Sequence, residues 1–403
     1  MERIFLKRFK KPFWTAIFIE LLHCLASYSM MAYLVIYLSK EINLGESKAN
    51  FLMGIMFFMG YFLPILVGAI ADRKGFKETM SVSLLLMSLG YFYASRANSF
   101  YTIFIALMLL SLGGAVMKPV IAGTVKLTAT DQDRTLGFSI YYIVINIGSF
   151  IAPFLANIIR TKSGHPEYIF VFCAFIEALA FLTSLLLYSN PETKKGEPFF
   201  VSKFFIDLFS AVKDFKLLTF IIIYSGVWAL YSQIWSNIPL FIVAIDPSMN
   251  KKIEFFQMVD PIMIILFQYP IGKIMSKFRA LPSIITGILI SMVAVSTVGI
   301  LGNNFGAPSI AISLALWAIG EMMFSPRAVE YVSVIAPKDK LALYIGFGFL
   351  PLAIGLGSGP YLGTLLKNFL EKYGYTNLLF PVMGFFALLV AFALLIYDKV
   401  FRE

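Results

Sequence analysis

The chain has 403 residues, of which 59% are hydrophobic and only 14% charged, with 41 Phe and a mean hydropathy of +0.82. Soluble domains carry about 25% charged residues, so the composition excludes a water-soluble globular protein and predicts an all-α membrane protein. The net charge of +10 does not point to nucleic acid, because the basic residues collect in short segments between apolar runs.

Twelve apolar spans are predicted, at 13–39, 47–71, 79–96, 100–125, 136–159, 168–189, 217–245, 254–276, 281–301, 307–335, 340–366 and 377–398. Counted by side, with span ends assigned to the nearer loop, 23 of the 33 Lys and Arg lie with the two termini and the loops after even-numbered spans, and 9 on the opposite side. The positive-inside rule then places both termini in the cytoplasm of a multi-pass plasma (inner) membrane protein. The first span, Phe13 to Leu38, is too long for a signal-peptide core and is expected to be retained. Cys24 and Cys173 both lie inside spans, so no disulfide framework is implied.

The first span carries Glu20 and His23 one helical turn apart, with Cys24, Ser27, Tyr28 and Met31 continuing the same face. A carboxylate and an imidazole together at membrane depth point to a proton or solute path. After the second span comes Gly68-Ala69-Ile70-Ala71-Asp72-Arg73-Lys74-Gly75-Phe76-Lys77. This resembles the signature loop of the major facilitator superfamily, Gly-x-x-x-Asp-Arg-x-Gly-x-Lys, at every one of those positions. Gly68 allows close helix approach, Gly75 a tight turn, and Asp72 with Arg73 and Lys77 a cytoplasmic gate.

In the fourth span, Gly113-Gly114-Ala115-Val116-Met117-Lys118-Pro119 places one lysine inside the apolar run from Phe100 to Val125. Such a residue costs about 2.5–3.5 kcal/mol near the bilayer centre. It lies eight residues, about 12 Å, from Lys126, and a lysine stem bridges only part of that. Lys118 is therefore expected to face a wet cavity. Glu177 in the sixth span is left unassigned and outside the site, with a structural role facing the third span as its plain alternative.

Pro191-Glu192-Thr193-Lys194-Lys195-Gly196 reads as a polar linker. Val201, Phe204, Phe205, Leu208, Phe209 and Val212 then form the apolar face of an amphipathic surface helix. An internal repeat at an offset of 207 relates Pro119 to Pro326, Gly148 to Gly355 and Pro153 to Pro360. Two parallel six-helix halves follow, 1–189 and 217–403, joined by the linker 190–216.

The fifth span, Tyr141-Tyr142-Ile143-Val144-Ile145-Asn146-Ile147-Gly148, resembles the fifth-helix signature of the proton-coupled oligopeptide transporter family. Further likeness lies in Lys118-Pro119, in Trp228-Ala229-Leu230-Tyr231-Ser232-Gln233, in Gln257-Met258-Val259-Asp260-Pro261 and in Glu321-Met322-Met323-Phe324-Ser325-Pro326. The resemblance implies a major facilitator fold and a solute site. Lys118 would receive a carboxylate in it, and Glu321 an amino end or Lys118 itself. Tyr28, Met31, Tyr142, Asn146, Tyr231, Gln233, Trp235 and Asp260 would complete the binding face. Proton coupling would rest on Glu20, His23 and Glu321.

The family's first-helix Glu-x-x-Glu-Arg reads Glu20-Leu21-Leu22-His23-Cys24. A downstream arginine is Met31, its seventh-helix acid partner is Ser232, and the eighth-helix asparagine is Asp260. These departures remove cations and add a carboxylate, which argues against ordinary di- and tripeptides and for an amine-bearing or zwitterionic solute. Asp260, just before Pro261, could instead only cap a broken helix. The expected function is proton-coupled solute symport by a monomer in the bilayer. Proton-driven export of drugs or metabolites is the alternative, and a non-transporting sensor a weaker one, given tails too short for an output domain. No phosphate loop, metal-ligand spacing or nucleophile–base arrangement is present, so no enzyme activity, metal or cofactor is expected.

Overall fold

The computed structural model describes residues 9–130, 132–191, 213–337, 344 and 346–401, with the side chains of 65–73 excepted. The expected surface helix at 201–212 lies outside the described residues. Among those described there is no strand. The helices are α1 Lys11–Met31, α2 Glu46–Lys74, α3 Phe76–Ala94, α4 Phe100–Thr128, α5 Arg134–Ser163 and α6 Tyr168–Leu187. They continue with α7 Phe215–Tyr231, α8 Asn237–Ile245, α9 Val259–Met275, α10 Ala280–Phe305, α11 Ile310–Ile335, α12 Leu350–Lys372 and α13 Leu379–Phe401. Nine helical stretches among the described residues are long and apolar enough to cross a bilayer. Helices of 29, 19 and 23 residues, α2, α3 and α12, occupy the other three predicted positions.

Three spans depart from the single continuous helices expected. The first stops at Met31, resumes for one turn at Leu34–Ile36 and widens into a π turn over Tyr37–Glu41. The seventh breaks between α7 and α8, through a 3-10 turn at Ser232–Ile234 and a non-helical Ser236. The eighth is preceded by a 3-10 run over Pro247–Met258, so α9 begins at Val259. The break before that run has a local cause. Asp246 precedes Pro247, whose ring forbids the helical conformation one residue upstream, and Asp246 is extended.

The chain forms two compact units, Met1–Leu34 with Met59–Phe204, and Val35–Phe58 with Phe205–Glu403. In the first, α5 lies so close to α1 that a Cβ on Gly148 would stand 2.5 Å from Cys24 Cβ. In the second, a Cβ on Gly355 of α12 would stand 2.6 Å from Trp228 Cβ of α7. These glycines are the repeat partners found in the sequence, and each permits the same close helix approach within its own unit. The carbonyl before each repeat-related proline is used in parallel fashion. Ser29 Oγ donates to Ala152 O at 2.9 Å, and Gln233 Nε2 donates to Gly359 O at 2.9 Å.

Outward helix faces carry Leu89, Phe92, Phe175 and Leu186, all exposed, as lipid contact requires. Where α2 gives way to α3, Gly75 takes φ +100°. L-residues avoid that region, so the tight turn expected at this glycine is met by its backbone. The amide of Lys77 then donates to Asn190 Oδ1 at 2.7 Å, tying the turn to the end of α6. Gly68, Asp72 and Arg73 lie within α2.

Candidate functional site: buried charge in each unit

In the first unit, α1, α4, α5 and α6 bring a group of polar side chains together. Glu20 is 3% exposed and Glu177 fully buried. His23 Nδ1 stands 2.9 Å from Glu177 Oε1 and 3.5 Å from Ser27 Oγ. The sequence leaves Glu177 unassigned; the structure gives it a partner. Its carboxyl meets the first span's histidine, because a buried carboxylate needs a partner and α6 packs on α1.

Glu20 lies one turn before His23 and accepts a hydrogen bond from the Tyr141 hydroxyl. Its Oε1 is 3.8 Å from Cys24 Sγ. Lys118 is exposed at mid-helix and within electrostatic reach of both Glu20 and His23. Its Nζ lies 4.3 Å from the centroid of the Tyr61 ring, in cation–π contact. Lys118 is thus held among polar and aromatic groups, as its position in an apolar helix demands.

Tyr142 is 44% exposed, and its carbonyl accepts from Asn146 Nδ2 at 2.9 Å. Its neighbour Tyr141 is the one that meets Glu20. Tyr141 is two helical turns before Gly148, the residue nearest α1, and so shares that face. That spacing is the signal in the sequence that would have found it. Glu177 had a signal too, an acid at membrane depth with no basic or polar partner on its own helix. Tyr61 had none that periodicity could supply.

In the second unit, Asp260 stands in the first turn of α9, Glu321 in the middle of α11 and Tyr231 at the end of α7. The Asp260 carboxyl is hydrogen-bonded to Glu321 and to Tyr231. It does not cap the helix, since α9 begins after Met258 without a side-chain cap. Two carboxylates offer only acceptors, so what such a pair takes up is a proton or a cation. Asp260 Oδ1 and Glu321 Oε2 have no hydrogen-bond partner. Beside the pair, the Tyr231 ring lies 5.3 Å from Trp228 and 6.0 Å from Trp317. The indole N–H groups of both tryptophans are buried without a hydrogen-bond acceptor.

Gln233 and Trp235 are buried at the break between α7 and α8. Gln233 bonds Ala229 O, Gly359 O and Asn237 Nδ2, so its amide is spent on holding the break. Tyr28 and Met31 lie on α1, half-buried. Among the described residues, no three His, Cys, Asp or Glu are grouped to hold a metal ion.

The chain is 22% identical over 391 residues to the multidrug resistance protein MdtH of Photorhabdus laumondii subsp. laumondii, covering 94% of this chain and 92% of that protein. Its fold matches a POT family transporter solved with 5-aminolevulinic acid, with a TM-score of 0.82 and 18% identity over 97% of this chain and 96% of that one. It also matches a variant of the nucleoside transporter NupG, with a TM-score of 0.80 and 14% identity over 95% and 99% of the two chains. The family profile of the Major Facilitator Superfamily matches residues 16–259. A buried titratable cluster in each of two repeat-related helical units accords with that match, and the chain belongs to the Major Facilitator Superfamily of membrane transporters.

Proposed function

We propose that the protein is a proton-coupled symporter that moves a small amine-bearing or zwitterionic solute, peptide-like or amino-acid-like, by alternating access. It would act as a monomer in the plasma membrane with both termini cytoplasmic. The observation that carries this reading is the hydrogen-bonded pair Asp260–Glu321 beside Tyr231, Trp228 and Trp317. An ammonium group satisfies two carboxylates better than a shared proton does, and aromatic faces attract the same charge. A dianionic solute would meet like charge in a low dielectric, which is costly. In the first unit, Lys118 over the Tyr61 ring supplies a cation that attracts a carboxylate. Glu20 and His23 would carry protons, and Gly68, Asp72, Arg73, Gly75 and Lys77 would gate the cytoplasmic face.

A second reading, proton-driven export, is favoured by one observation, the multidrug resistance relative that matches 94% of the chain. Reconstituted protein separates the two. Proteoliposomes are offered 5-aminolevulinate, a dipeptide and a lipophilic amine under pH gradients of either sign. Accumulation of a zwitterion with the outside acidic is the result expected of a symporter. Accumulation only with the inside acidic establishes exchange, and selective movement of dicarboxylates overturns the amine assignment.

A further inference from the structure

Glu177 has no part in the function set out above, yet it is a fully buried carboxyl bonded to a titratable ring. We propose that Glu177 and His23 together form the proton-binding element of the first unit, the Nδ1–Oε1 contact of 2.9 Å stabilising one exchangeable proton on the ring. The inference deepens the proton-coupled reading and rests on it for its role in transport.

The charge balance of the cluster supports it. Two carboxyls, Glu20 and Glu177, share the interior of this unit with Lys118. With both ionised and His23 neutral, the group carries one net negative charge at membrane depth. Binding of one proton brings the cluster to neutrality, the state that a low dielectric favours. In the neutral ring, Nδ1–H donates to the Glu177 carboxylate. Uptake of a proton at Nε2 gives an imidazolium beside that carboxylate, and its release restores the neutral ring.

Among the described residues, the charges that act on the ring are those of Glu177, Glu20 and Lys118. On α1 the groups facing the ring are Glu20, Cys24 and Ser27. From α6 come Glu177 and Cys173, the thiol donating to Ala26 O at 3.1 Å. Tyr91 of α3 reaches Ser27 Oγ at 3.5 Å. Tyr141 of α5 donates to Glu20, and Lys118 of α4 acts on the cluster through its charge. Glu177 Oε2 and Glu20 Oε2 are buried without hydrogen-bond partners, so each carboxyl retains an oxygen on which a proton could sit.

A merely positional role for Glu177 is separable from proton binding. Glu177→Gln keeps an oxygen to accept from Nδ1–H but cannot hold a negative charge, whereas Glu177→Asp keeps the charge with a shorter reach. The chain has two histidines, so a His165→Asn background leaves one imidazole for nitrogen NMR of the full-length labelled protein in lipid. Across neutral pH the His23 ring should pass from neutral to charged. The midpoint should move by about one pH unit or more in Glu177→Gln, the scale of a lost charge partner, and stay near the parent's in Glu177→Asp. A ring that keeps one state wherever the protein is folded, or that titrates identically in Glu177→Gln, overturns the inference. In proteoliposomes, Glu177→Gln should lose accumulation of 5-aminolevulinate on a pH gradient while keeping counterflow; retained gradient-driven accumulation also overturns it. If His23 titrates through Glu177 but no pH gradient moves any solute in the parent protein, the symport reading falls and the proton site stands.

Discussion

At the scale of single residues, the site chemistry is a matter of which buried charges have partners. Asp260 is the sharpest case, because its hydrogen bonds run to Glu321 and Tyr231 and not to the start of α9. Thermal stabilisation of the purified protein by amines or zwitterions should therefore vanish in Asp260→Asn. Stabilisation that persists there would place the amine elsewhere. Tyr61→Leu removes the ring beneath Lys118, an interaction of about 0.5–2 kcal/mol. We expect anionic or zwitterionic ligands to bind some 2–30-fold more weakly in this variant, as read by titration calorimetry, with amines lacking a carboxylate unaffected.

At the scale of helices, close approach is set by glycines and by buried amides. Within the second unit, Asn50 at the start of α2 donates to Thr364 Oγ1 at 2.6 Å and to Asn237 Oδ1 at 3.2 Å. Thr364 in turn donates to Asn237 Oδ1 at 3.1 Å, while Asn237 Nδ2 donates to Gln233 Oε1 at 2.6 Å. One buried polar network thus ties together α2, α8, α12 and the 3-10 turn between α7 and α8. Asn50→Leu removes a buried donor to both Asn237 and Thr364 and should lower stability by about 1–3 kcal/mol, measured by thermal unfolding in detergent. In the first unit, Gly148→Val drives a side chain into Cys24 and should cost about 1–3 kcal/mol by overpacking. Gly164→Ala, where a Cβ would meet nothing within 4 Å, keeps φ +73° and serves as the control for backbone strain alone.

At the scale of the whole molecule, the proposed symport requires that proton and solute binding be linked, and linkage has a signature of its own. Glu20→Gln should abolish gradient-driven accumulation and spare counterflow, because an amide preserves the hydrogen bond from Tyr141 while removing the titratable group. Should Glu20→Gln still concentrate 5-aminolevulinate on a pH gradient, the coupling proton lies with Glu177 and His23, or with Asp260 and Glu321.

The sequence by itself determined the membrane class, the helical spans, the internal repeat and the presence of expensive charges at Glu20, Lys118, Asp260 and Glu321. Each is a one-dimensional property, since hydropathy, spacing and a charge in an apolar run are all visible along the chain. The helix break at Ser236 was hidden inside an apolar run whose hydropathy does not change where the backbone turns. Tertiary structure alone decided the pairings. His23 meets Glu177 across 154 positions and Gln233 meets Gly359 across 126. The sequence shows that a buried charge must have a partner; only the packing of helices distant along the chain selects which one.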